Sequence, residues 1–538
     1  MAANGNPDLI GCTINGIAVR APKGTRIIEV AERLGIGIAH YCYHPGLSAP
    51  AMCRMCLVEV EGAPKLLPAC VTTVADGQVI RTESESAVEA RRGTLEFYLM
   101  NHPLDCPICD KSGECKLQDY VHAEGRKHGR SIEPKRVLGQ DDFGGDILYD
   151  GDRCIMCTRC VRFMREISGS DRLGVVQRGS RSVIDTFFDS GVDGDPWAGN
   201  IVDICPVGAL LSKDFLHKAR VWDLDNTPSI CPNCSQGCNI RIDTRDNLVM
   251  RLRPRANPDV NSYWMCDYGR YRYEWINRSD RIEAPLVRRG DRLTAAGWHD
   301  TVLELVDRLR KLKGAPIRVI GSPFLGTEDN GLLARLAAVL GGTAAATYRS
   351  GRAEDEVGCP GFPALARRRD LAANVRGLDA LGFARVGDDD GRGGIEPQTG
   401  GVLVVMGDAL ADVPSEFGAG MDLFVVLGHV LTHAARNADF VLPVTTFAEQ
   451  EGTFTNHAGR VQRFWPAVQP PPLARPAWQV LGVLLAGLDD ADAPADAGSA
   501  FLRIAELYDA FAGLSYATIG PRGALLNEPV RLTASGEA

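Results

Sequence analysis

The distribution of cysteines constrains this chain more than any other feature of its sequence. Of the 17 cysteines in 538 residues, 16 lie before residue 267 and only Cys359 lies beyond it. The first residues lack the basic-then-apolar pattern of a secretory signal, and no stretch approaches the roughly 20 apolar residues of a membrane helix. We therefore expect a reducing compartment, where clustered cysteines indicate metal binding rather than disulfides.

Composition narrows the class of protein further. Apolar residues make up 45% and charged residues 24%, as in globular chains, and the length predicts several domains. The formal net charge of -9 argues against nucleic acid as a partner. No G-x-G-x-x-G motif follows a predicted strand, so the sequence indicates no dinucleotide site of its own.

The first cysteine group has the spacing C-x10-C-x2-C-x13-C and follows a strand-rich segment. Four thiolates are what a [2Fe–2S] cluster requires, and the β-rich context resembles plant-type ferredoxins. A four-cysteine zinc site is the alternative. The predicted ligands are Cys42, Cys53, Cys56 and Cys70.

The second group, "HPLDCPICDKSGEC", contains only three cysteines. A [4Fe–4S] cluster needs four protein ligands, and a histidine stands four residues before the first cysteine, so it is the natural fourth ligand. A zinc site of three cysteines and one histidine is the alternative. The predicted ligands are His102, Cys106, Cys109 and Cys115.

The third group, "CIMCTRC", is the start of a bacterial ferredoxin motif. Such a motif continues C-x3-C-P, and its last cysteine ligates the other cluster of a two-cluster protein; here that position is Met164. A second motif, "DPWAGNIVDICPVGAL", keeps only its final Cys-Pro and has Asp195, Ala198 and Ile201 at the other three positions. One cluster is thus predicted to be lost and the other kept. The ligands of the retained [4Fe–4S] cluster are predicted to be Cys154, Cys157, Cys160 and Cys205.

The fourth group has the spacing C-x2-C-x3-C-x27-C. This spacing resembles the one that precedes the large domain of molybdopterin oxidoreductases, where it holds a [4Fe–4S] cluster; zinc is again the alternative. The predicted ligands are Cys231, Cys234, Cys238 and Cys266. Fifteen cysteines and one histidine then fill four sites of four ligands. Cys12 and Cys359 are left over and are interpreted as small apolar residues.

From about residue 285 the pattern changes to alternating strands and helices. "PIRVIGS", "GVLVVMGD" and "DLFVVLGH" are short apolar runs, and "HDTVLELVDRLRKLKG" has helical periodicity, which favours a parallel, doubly wound sheet. The predicted fold class is a multidomain α+β and α/β chain. We expect a [2Fe–2S] ferredoxin-type β-grasp domain at residues 1–85 and a [4Fe–4S] domain with one histidine ligand at 86–125. A degenerate two-cluster ferredoxin domain with one [4Fe–4S] cluster is expected at 140–220, and a molybdopterin-oxidoreductase-type [4Fe–4S] domain at 224–280. A shortened molybdopterin-oxidoreductase-like α/β domain is expected at 281–538.

The order of the four groups resembles the G-type subunit family of NADH–quinone oxidoreductase, the large iron–sulfur component of the respiratory complex I peripheral arm. The most specific motifs are "HPLDCPICDKSGECKLQD", "RCIMCTRCVRF", "GNIVDICPVGALLSKDF" and "EQEGTFTNHAGRVQ", and the resemblance extends over nearly the whole chain. It implies that the 16 residues above are the cluster ligands. It also implies a cytoplasmic subunit, peripheral to the cell membrane, that relays electrons from a flavin/NADH-binding subunit toward a ferredoxin-like iron–sulfur subunit and the quinone-site subunits.

The chain departs from catalytic molybdopterin oxidoreductases at two positions. These enzymes have a lysine two residues after the last cysteine of the fourth group, where this chain has Tyr268, and a metal-binding cysteine or selenocysteine where alignment places Ala353. We therefore expect no molybdopterin. Three alternatives remain. The chain could be a subunit of an NAD-linked formate dehydrogenase, or a zinc-bound scaffold that organises partners. It could also be a subunit of a hydrogenase, although that function would need a further cysteine set.

Overall fold

A computed structural model describes residues 8–187, 189–341, 344–395, 399–407 and 412–527. The chain divides into two compact units. The first comprises Met1–Leu224 with Cys359–Phe362, and the second comprises Asp225–Gly358 with Pro363–Ala538. The described residues include no helix that is both long and apolar enough to cross a membrane.

The first unit begins with a five-stranded sheet that packs against one helix. The strand order is β2-β1-β5-β3-β4, with β1 and β5 parallel and the other pairs antiparallel. Ile27, Val30 and Ala31 of the helix are buried together with Ile14 and Ile80 of the sheet, which forms the core of this part. The elements are β1 (Leu9–Ile14), β2 (Ile17–Pro22), α1 (Ile27–Arg33), β3 (Leu57–Val60), β4 (Leu67–Pro68) and β5 (Gln78–Arg81).

Short elements separated by long connections make up the rest of the first unit. Antiparallel strands form one sheet in the order β10-β7-β6 and the hairpin β8-β9. A π-helical turn, Met164–Ser168, follows α4 directly. The elements are α2 (Glu85–Leu99), α3 (Lys116–Glu124), β6 (Gln140–Gly144), β7 (Ile147–Asp150), α4 (Arg159–Phe163), β8 (Leu173–Val176), β9 (Val183–Thr186), α5 (Asn200–Ile204) and β10 (Leu210–Ser212).

The second unit is built around an eight-stranded sheet. Its parallel part has the order β20-β17-β16-β21-β22-β23, and β14 and β15 extend it as an antiparallel edge. The sequence order reverses between β16 and β21, which makes this the topological switch point of the sheet. The strands are β14 (Leu286–Arg289), β15 (Arg292–Ala295), β16 (Ile317–Gly321), β17 (Ala344–Tyr348), β20 (Ala384–Arg385), β21 (Val402–Met406), β22 (Leu423–Gly428) and β23 (Phe440–Pro443).

Smaller sheets complete the second unit. Strands β11, β12 and β13 form an antiparallel meander, β18 pairs with β19, and β24, β25 and β26 form a third small sheet. Their bounds are β11 (Asp225–Ile230), β12 (Asn239–Arg245), β13 (Leu248–Pro254), β18 (Val357–Gly358), β19 (Ala366–Arg367), β24 (Gly452–Thr455), β25 (Arg460–Phe464) and β26 (Ala524–Leu525). The helices are α6 (Asp267–Tyr271), α7 (Trp298–Lys311), α8 (Thr327–Leu340), α9 (Val375–Ala380), α10 (Ala477–Gly487), α11 (Ala497–Leu507) and α12 (Tyr516–Ile519).

Both faces of the parallel sheet are buried, as the continuous apolar strands predict. Val319 and Val404 face one side, where α7, α8, α10 and α11 cover them. Ile320 and Leu403 face the other side, where the packed residues in the described part of the chain belong to irregular segments and a 3-10 turn rather than to α-helices. The predicted fold class is confirmed, with helical cover on one face of the sheet.

Candidate metal centres

The first cysteine group is held by loops of the β-grasp sheet. Cys42 follows α1, Cys53 and Cys56 precede β3, and Cys70 follows β4. All four thiols are buried. Hydrogen bonds among these thiols lower the pKa of Cys42 and of Cys56 and raise the pKa of Cys53 and of Cys70. The structure therefore brings the four predicted ligands together as one site, which we call site 1.

The second group, site 2, lies between α2 and α3. Cys115 is the residue before the first turn of α3, and Cys106 and Cys109 flank a tight turn in the preceding loop. His102, Cys106 and Cys115 line one cavity, and Cys109 is close enough to the two other cysteines to interact electrostatically with them. Cys106 is exposed, whereas Cys109 and Cys115 are buried.

The imidazole of His102 has the state that a metal ligand needs. Burial lowers its pKa, which favours the neutral ring. Its Nδ1 atom is buried and has no hydrogen-bond partner among the described residues. A neutral imidazole nitrogen without a partner is costly to bury and is a good ligand for iron.

A glycine of the third group lies against a cysteine of the second. A Cβ atom built on Gly208 would stand 2.2 Å from Sγ of Cys109. Gly208 is the last residue of the sequence Cys205-Pro-Val-Gly, so the turn after Cys205 passes directly beside site 2. No residue with a side chain fits there unless Cys109 moves.

The third group forms one site around α4 and α5, which we call site 3. Cys154 and Cys157 lie in the loop before α4, Cys160 lies in its first turn, and Cys205 is the residue that ends α5. All four cysteines line a single small cavity. Cys205, 45 residues from Cys160 in sequence, thus joins the other three as the ferredoxin motif predicts.

Left-handed backbone positions shape the loops of sites 1 and 3. Ala51 and Arg54 in the first loop, and Met156 and Thr158 in the third, have φ angles between 54° and 58°. Residues other than glycine seldom adopt this conformation, which can turn successive N–H groups toward one side of a loop. In site 3 the N–H of Met156 lies 3.4 Å from Sγ of Cys154.

Apolar packing occupies the positions where a two-cluster ferredoxin would carry the ligands of its second cluster. Met164, Ala198 and Ile201 are buried. The carboxylate of Asp195 accepts hydrogen bonds from Ser168 Oγ at 2.6 Å and from the N–H of Trp197 at 2.9 Å. These residues contribute to the core and cap the local turn rather than bind a metal.

The fourth group, site 4, joins the meander of the second unit to α6. Cys231 follows β11, Cys238 precedes β12, and Cys266 is the residue before α6. All four cysteines are buried, and a Cβ atom on Gly269 would stand 2.9 Å from Sγ of Cys231. Burial raises the pKa of Cys231 to about 12, so its thiolate form requires a nearby positive charge.

The late motif "EQEGTFTNHAGRVQ" holds the cysteine loop of site 4. The amide of Gln462 accepts a hydrogen bond from Asn239 Nδ2 at 2.6 Å and donates to the carbonyl of Gly237 at 2.9 Å. The N–H of His457 donates to the carbonyl of Ser235 at 2.7 Å. Residues more than 200 positions apart in sequence are therefore held together by hydrogen bonds.

A cavity of about 470 Å³ lies at the carboxyl ends of the parallel strands, where Ser322, Gly407 and His429 follow β16, β21 and β22. This is the place where open α/β sheets bind ligands. Tyr268 lines the cavity, and the guanidinium of Arg272 is 4.1 Å from the centre of its ring. Ala353 is not among the described residues that line it.

Several observations test whether the four donor sets suit iron–sulfur clusters. Among the described residues, no group of three or more His, Cys, Asp or Glu side chains has the geometry to hold a single metal ion. The fit therefore rests on donor chemistry: four cysteine thiols in sites 1, 3 and 4, three thiols and an unpartnered imidazole nitrogen in site 2, and glycine backbones that leave room beside the sulfur atoms. The residues present suit the clusters.

Sequence reasoning missed residues that contact the predicted ligands or the backbone beside them. Gly208 and Gly269 lie against sulfur atoms, whereas Arg159 and Arg162 donate to the carbonyl oxygens of Tyr43 and Cys42. Each lies within three residues of a predicted ligand, in "CPVG", "CDYG" or "CTRCVRF". The signal was present in the motifs, but only the tertiary structure indicates what these residues contact.

The chain matches five family models. "2Fe-2S iron-sulfur cluster binding domain" matches residues 8–85, and "NADH-ubiquinone oxidoreductase-G iron-sulfur binding region" matches 91–130. "NADH-quinone oxidoreductase subunit 3, ferredoxin-like domain" matches 144–211, and "NADH-ubiquinone oxidoreductase NDSU1/NuoG-like, 4Fe-4S domain" matches 225–274. "Molybdopterin oxidoreductase" matches 395–486. The chain therefore contains domains of both the 2Fe-2S and the 4Fe-4S type.

Curated relatives match about three fifths of the chain. The G-type subunit of NADH-quinone oxidoreductase from Rickettsia felis is 37% identical over 62% of this chain and 49% of its own length. The mitochondrial NADH dehydrogenase [ubiquinone] iron-sulfur protein 1 of Solanum tuberosum is 42% identical over 59% of this chain and 42% of its own length. The chain thus spans about half the length of the curated relatives that it matches.

Among solved structures, a chain of the NAD+-reducing [NiFe]-hydrogenase in the H2-reduced state is 29% identical and covers 39% of this chain and 91% of that chain. The TM-score of 0.36 is too low to support a conclusion about fold or function. The succession of four cluster-binding models and the identity to the curated relatives carry the assignment. They show that this chain contains iron–sulfur domains of the NADH-quinone oxidoreductase G type and is similar to those G-type subunits over about three fifths of its length.

Proposed function

We propose that this chain is an electron-transfer subunit of an NADH:quinone oxidoreductase. The observation that carries the proposal is the assembly of four separate donor sets in a chain similar to G-type iron–sulfur subunits, with three of the sets in one compact unit. When bound, iron–sulfur clusters supply one-electron transfer at such sites. The protein itself contributes ligands, burial and hydrogen bonds.

The proposed cofactors are one [2Fe–2S] cluster at site 1 and one [4Fe–4S] cluster at each of sites 2, 3 and 4. The proposed domain division is the one expected from the sequence, at residues 1–85, 86–125, 140–220, 224–280 and 281–538. The proposed ligands are Cys42, Cys53, Cys56, Cys70, His102, Cys106, Cys109, Cys115, Cys154, Cys157, Cys160, Cys205, Cys231, Cys234, Cys238 and Cys266.

The surroundings of the ligands support this assignment. Burial around Cys157 and Cys231 excludes water, and it raises the pKa of each thiol to about 12. Backbone N–H groups that face the sulfur atoms, such as that of Met156, stabilise negative charge there. In site 2, the neutral ring of His102 replaces a thiolate and makes the ligand set less negative.

We further propose that the molybdopterin-oxidoreductase-like domain holds no molybdopterin. Tyr268, which stands where catalytic relatives have lysine, lines the cavity at the switch point and is stacked with Arg272. Ala353 has no ligand atom in its side chain to offer to a metal. The domain would then serve as a scaffold whose hairpin residues, such as Gln462, fix the loop of site 4.

The partners follow from the proposed function. They are a flavin/NADH-binding subunit that delivers electrons, a ferredoxin-like iron–sulfur subunit that receives them, and the quinone-site subunits of the same complex. The location is cytoplasmic and peripheral to the cell membrane, with contact to the membrane only through the complex. The net charge of -9 gives no indication of a nucleic-acid partner.

Metal analysis of the anaerobically purified chain tests the proposal. Two irons at site 1 and four at each other site predict about 14 irons with equal acid-labile sulfide. Stoichiometric zinc would contradict the electron-transfer function. Stoichiometric molybdenum or tungsten would contradict the scaffold role of the C-terminal domain and favour a subunit of a formate dehydrogenase.

A further inference from the structure

Arg159 is a buried arginine that lies between site 1 and site 3. Its side chain is 8% exposed. One guanidinium nitrogen, Nη1, donates to the carbonyl of Ile204 at 3.0 Å, and the other, Nη2, donates to the carbonyl of Tyr43. Ile204 precedes Cys205 of site 3, and Tyr43 follows Cys42 of site 1. The guanidinium therefore touches the backbone beside a ligand of each site.

The positive charge of Arg159 has no carboxylate partner among the described residues. Its hydrogen-bond acceptors there are neutral carbonyl oxygens, and its Nε atom is buried without a partner. Burial lowers its pKa, while the nearby sulfur atoms of Cys157 and Cys205 act in the opposite direction. Buried charges in proteins are almost always paired, because the desolvation of an isolated ion costs several kcal/mol.

Arg162, one helical turn later, has similar surroundings. Its Nη2 donates to the carbonyl of Cys42 at 2.5 Å and is 3.4 Å from the carbonyl of Cys157, and its Nη1 donates to the carbonyl of Ser48. It likewise forms no ion pair with a carboxylate in the described part of the chain. Two cations on one short helix, α4, thus face backbone atoms of both ligand sets.

Other buried arginines of the same unit are paired. Arg91 is 4% exposed and contacts the carboxylate of Glu124 at 2.6 and 2.8 Å, and Arg153 contacts Asp105 at 2.5 Å. Among these buried arginines, only Arg159, which lies between sites 1 and 3, therefore has no carboxylate partner in the described part of the chain. A set of four thiolates around iron is a net anion, and it is the group that could balance these cations.

We propose that Arg159, assisted by Arg162, is the shared countercharge of sites 1 and 3 and sets the reduction potentials of both clusters. The inference rests on the proposed function, because it requires clusters at both sites. Reduction adds negative charge to a cluster, so a fixed cation nearby favours the reduced form and raises the potential. Arg159 is a positioning residue that acts on two clusters at once.

The experiment measures the reduction potential of each cluster in the purified whole chain by redox titration with electron paramagnetic resonance. In Arg159→Gln, we expect the reduction equilibrium of the clusters at sites 1 and 3 to shift at least tenfold toward the oxidised form, which is about 59 mV for one electron. The potentials of sites 2 and 4 stay unchanged. Arg159→Lys keeps the positive charge, so both clusters should have reduction potentials close to those of the wild type.

Two further variants keep the test decisive. Arg91→Gln removes an equally buried but paired arginine, and it should leave the potentials of sites 1 and 3 unchanged. If Arg159→Gln loses its clusters, the more exposed Arg162→Gln is measured instead, and a shift in the same direction at both sites supports the proposal. Retained clusters with unchanged potentials, or equal shifts in Arg159→Lys and Arg159→Gln, would overturn it. Missing iron in the wild-type chain would instead contradict the proposed function.

Discussion

The backbone of Gly208 lies against the sulfur atom of Cys109, so close that a Cβ atom at position 208 would be 2.2 Å from it. Gly208 belongs to the turn after Cys205, a predicted ligand of site 3, whereas Cys109 is a predicted ligand of site 2. The two sites therefore share a wall in which one residue must lack a side chain.

Gly208→Ala should disturb site 2, because the new methyl group overlaps the sulfur atom of Cys109. A heavy-atom distance far below 3 Å forces Cys109 to move, and overpacking of this kind costs about 1–3 kcal/mol. We expect partial or complete loss of the site 2 cluster, measured as iron content and as the intensity of its paramagnetic signal.

Gly93→Ala is the matched control for this substitution. Gly93 lies inside α2, and a Cβ atom there would have no neighbour within 4 Å. Alanine in place of glycine within a helix stabilises by up to about 1 kcal/mol, so this variant should keep all its iron. Full iron content in Gly208→Ala as well would mean that Cys109 is not held at the position described.

The His102 variants test the fourth ligand of site 2. His102→Ala removes the only non-cysteine donor, and we expect it to lose the cluster or to convert it to a form with fewer irons. His102→Cys supplies a thiolate, which keeps four ligands but adds negative charge and should lower the reduction potential. Potentiometric titration followed by electron paramagnetic resonance distinguishes the two. A wild-type signal in His102→Ala would exclude His102 as a ligand.

Cys205→Ser should remove the cluster of site 3 and leave the other clusters in place. The reason is that Cys205 lines the same cavity as Cys154, Cys157 and Cys160. Iron analysis should give a loss of about four irons per chain. Cys359→Ser is the control, because the Cys359 thiol is buried and donates to the carbonyl of Ile167 at 3.4 Å, a bond that serine can form. A loss of iron from site 2 rather than site 3 would refute the assignment.

The buried carboxyl group of Glu328 should make the second unit less stable as the pH rises. Burial raises its pKa from 4.5 to about 8, so the folded state keeps a proton that the unfolded state releases above pH 4.5. The free energy of unfolding should therefore fall between pH 4.5 and 8, by up to about 1.4 kcal/mol per pH unit for this one group. Glu328→Gln imitates the protonated form and should flatten this dependence, as measured by thermal unfolding at pH 5, 6.5 and 8.

Asp329→Asn, at the neighbouring position, provides a contrast. Both oxygens of Asp329 accept hydrogen bonds, from the N–H groups of Gly326 and Trp478 and from Gln450 Nε2. Burial raises the pKa of Asp329 to about 6, so above that pH an asparagine amide would set a donor against one of these donors, and the variant should be less stable than the wild type at pH 8. Equal pH dependence in Glu328→Gln and the wild type would show that Glu328 does not carry the effect.

The sequence by itself determined which residues can form donor sets in this protein. Cysteine spacing identified four donor sets, and the surviving Cys-Pro of a second ferredoxin motif predicted that Cys205 joins Cys154, Cys157 and Cys160. The structure brings the members of each set close together, because ligand spacing reflects local loop geometry and a fixed number of donors. The apolar runs after residue 285 likewise predicted the parallel sheet, since strands buried on both faces have few other compositions.

Only the tertiary structure decided which residues stand between these local motifs. Gly208 against Cys109, Arg159 between Tyr43 and Ile204, and Gln462 at the loop of site 4 are contacts between segments far apart in sequence. No periodicity or spacing encodes such pairs, because packing and charge depend on the distances that folding creates. The sequence therefore predicts which residues are ligands, whereas the fold decided the space and the charge around them.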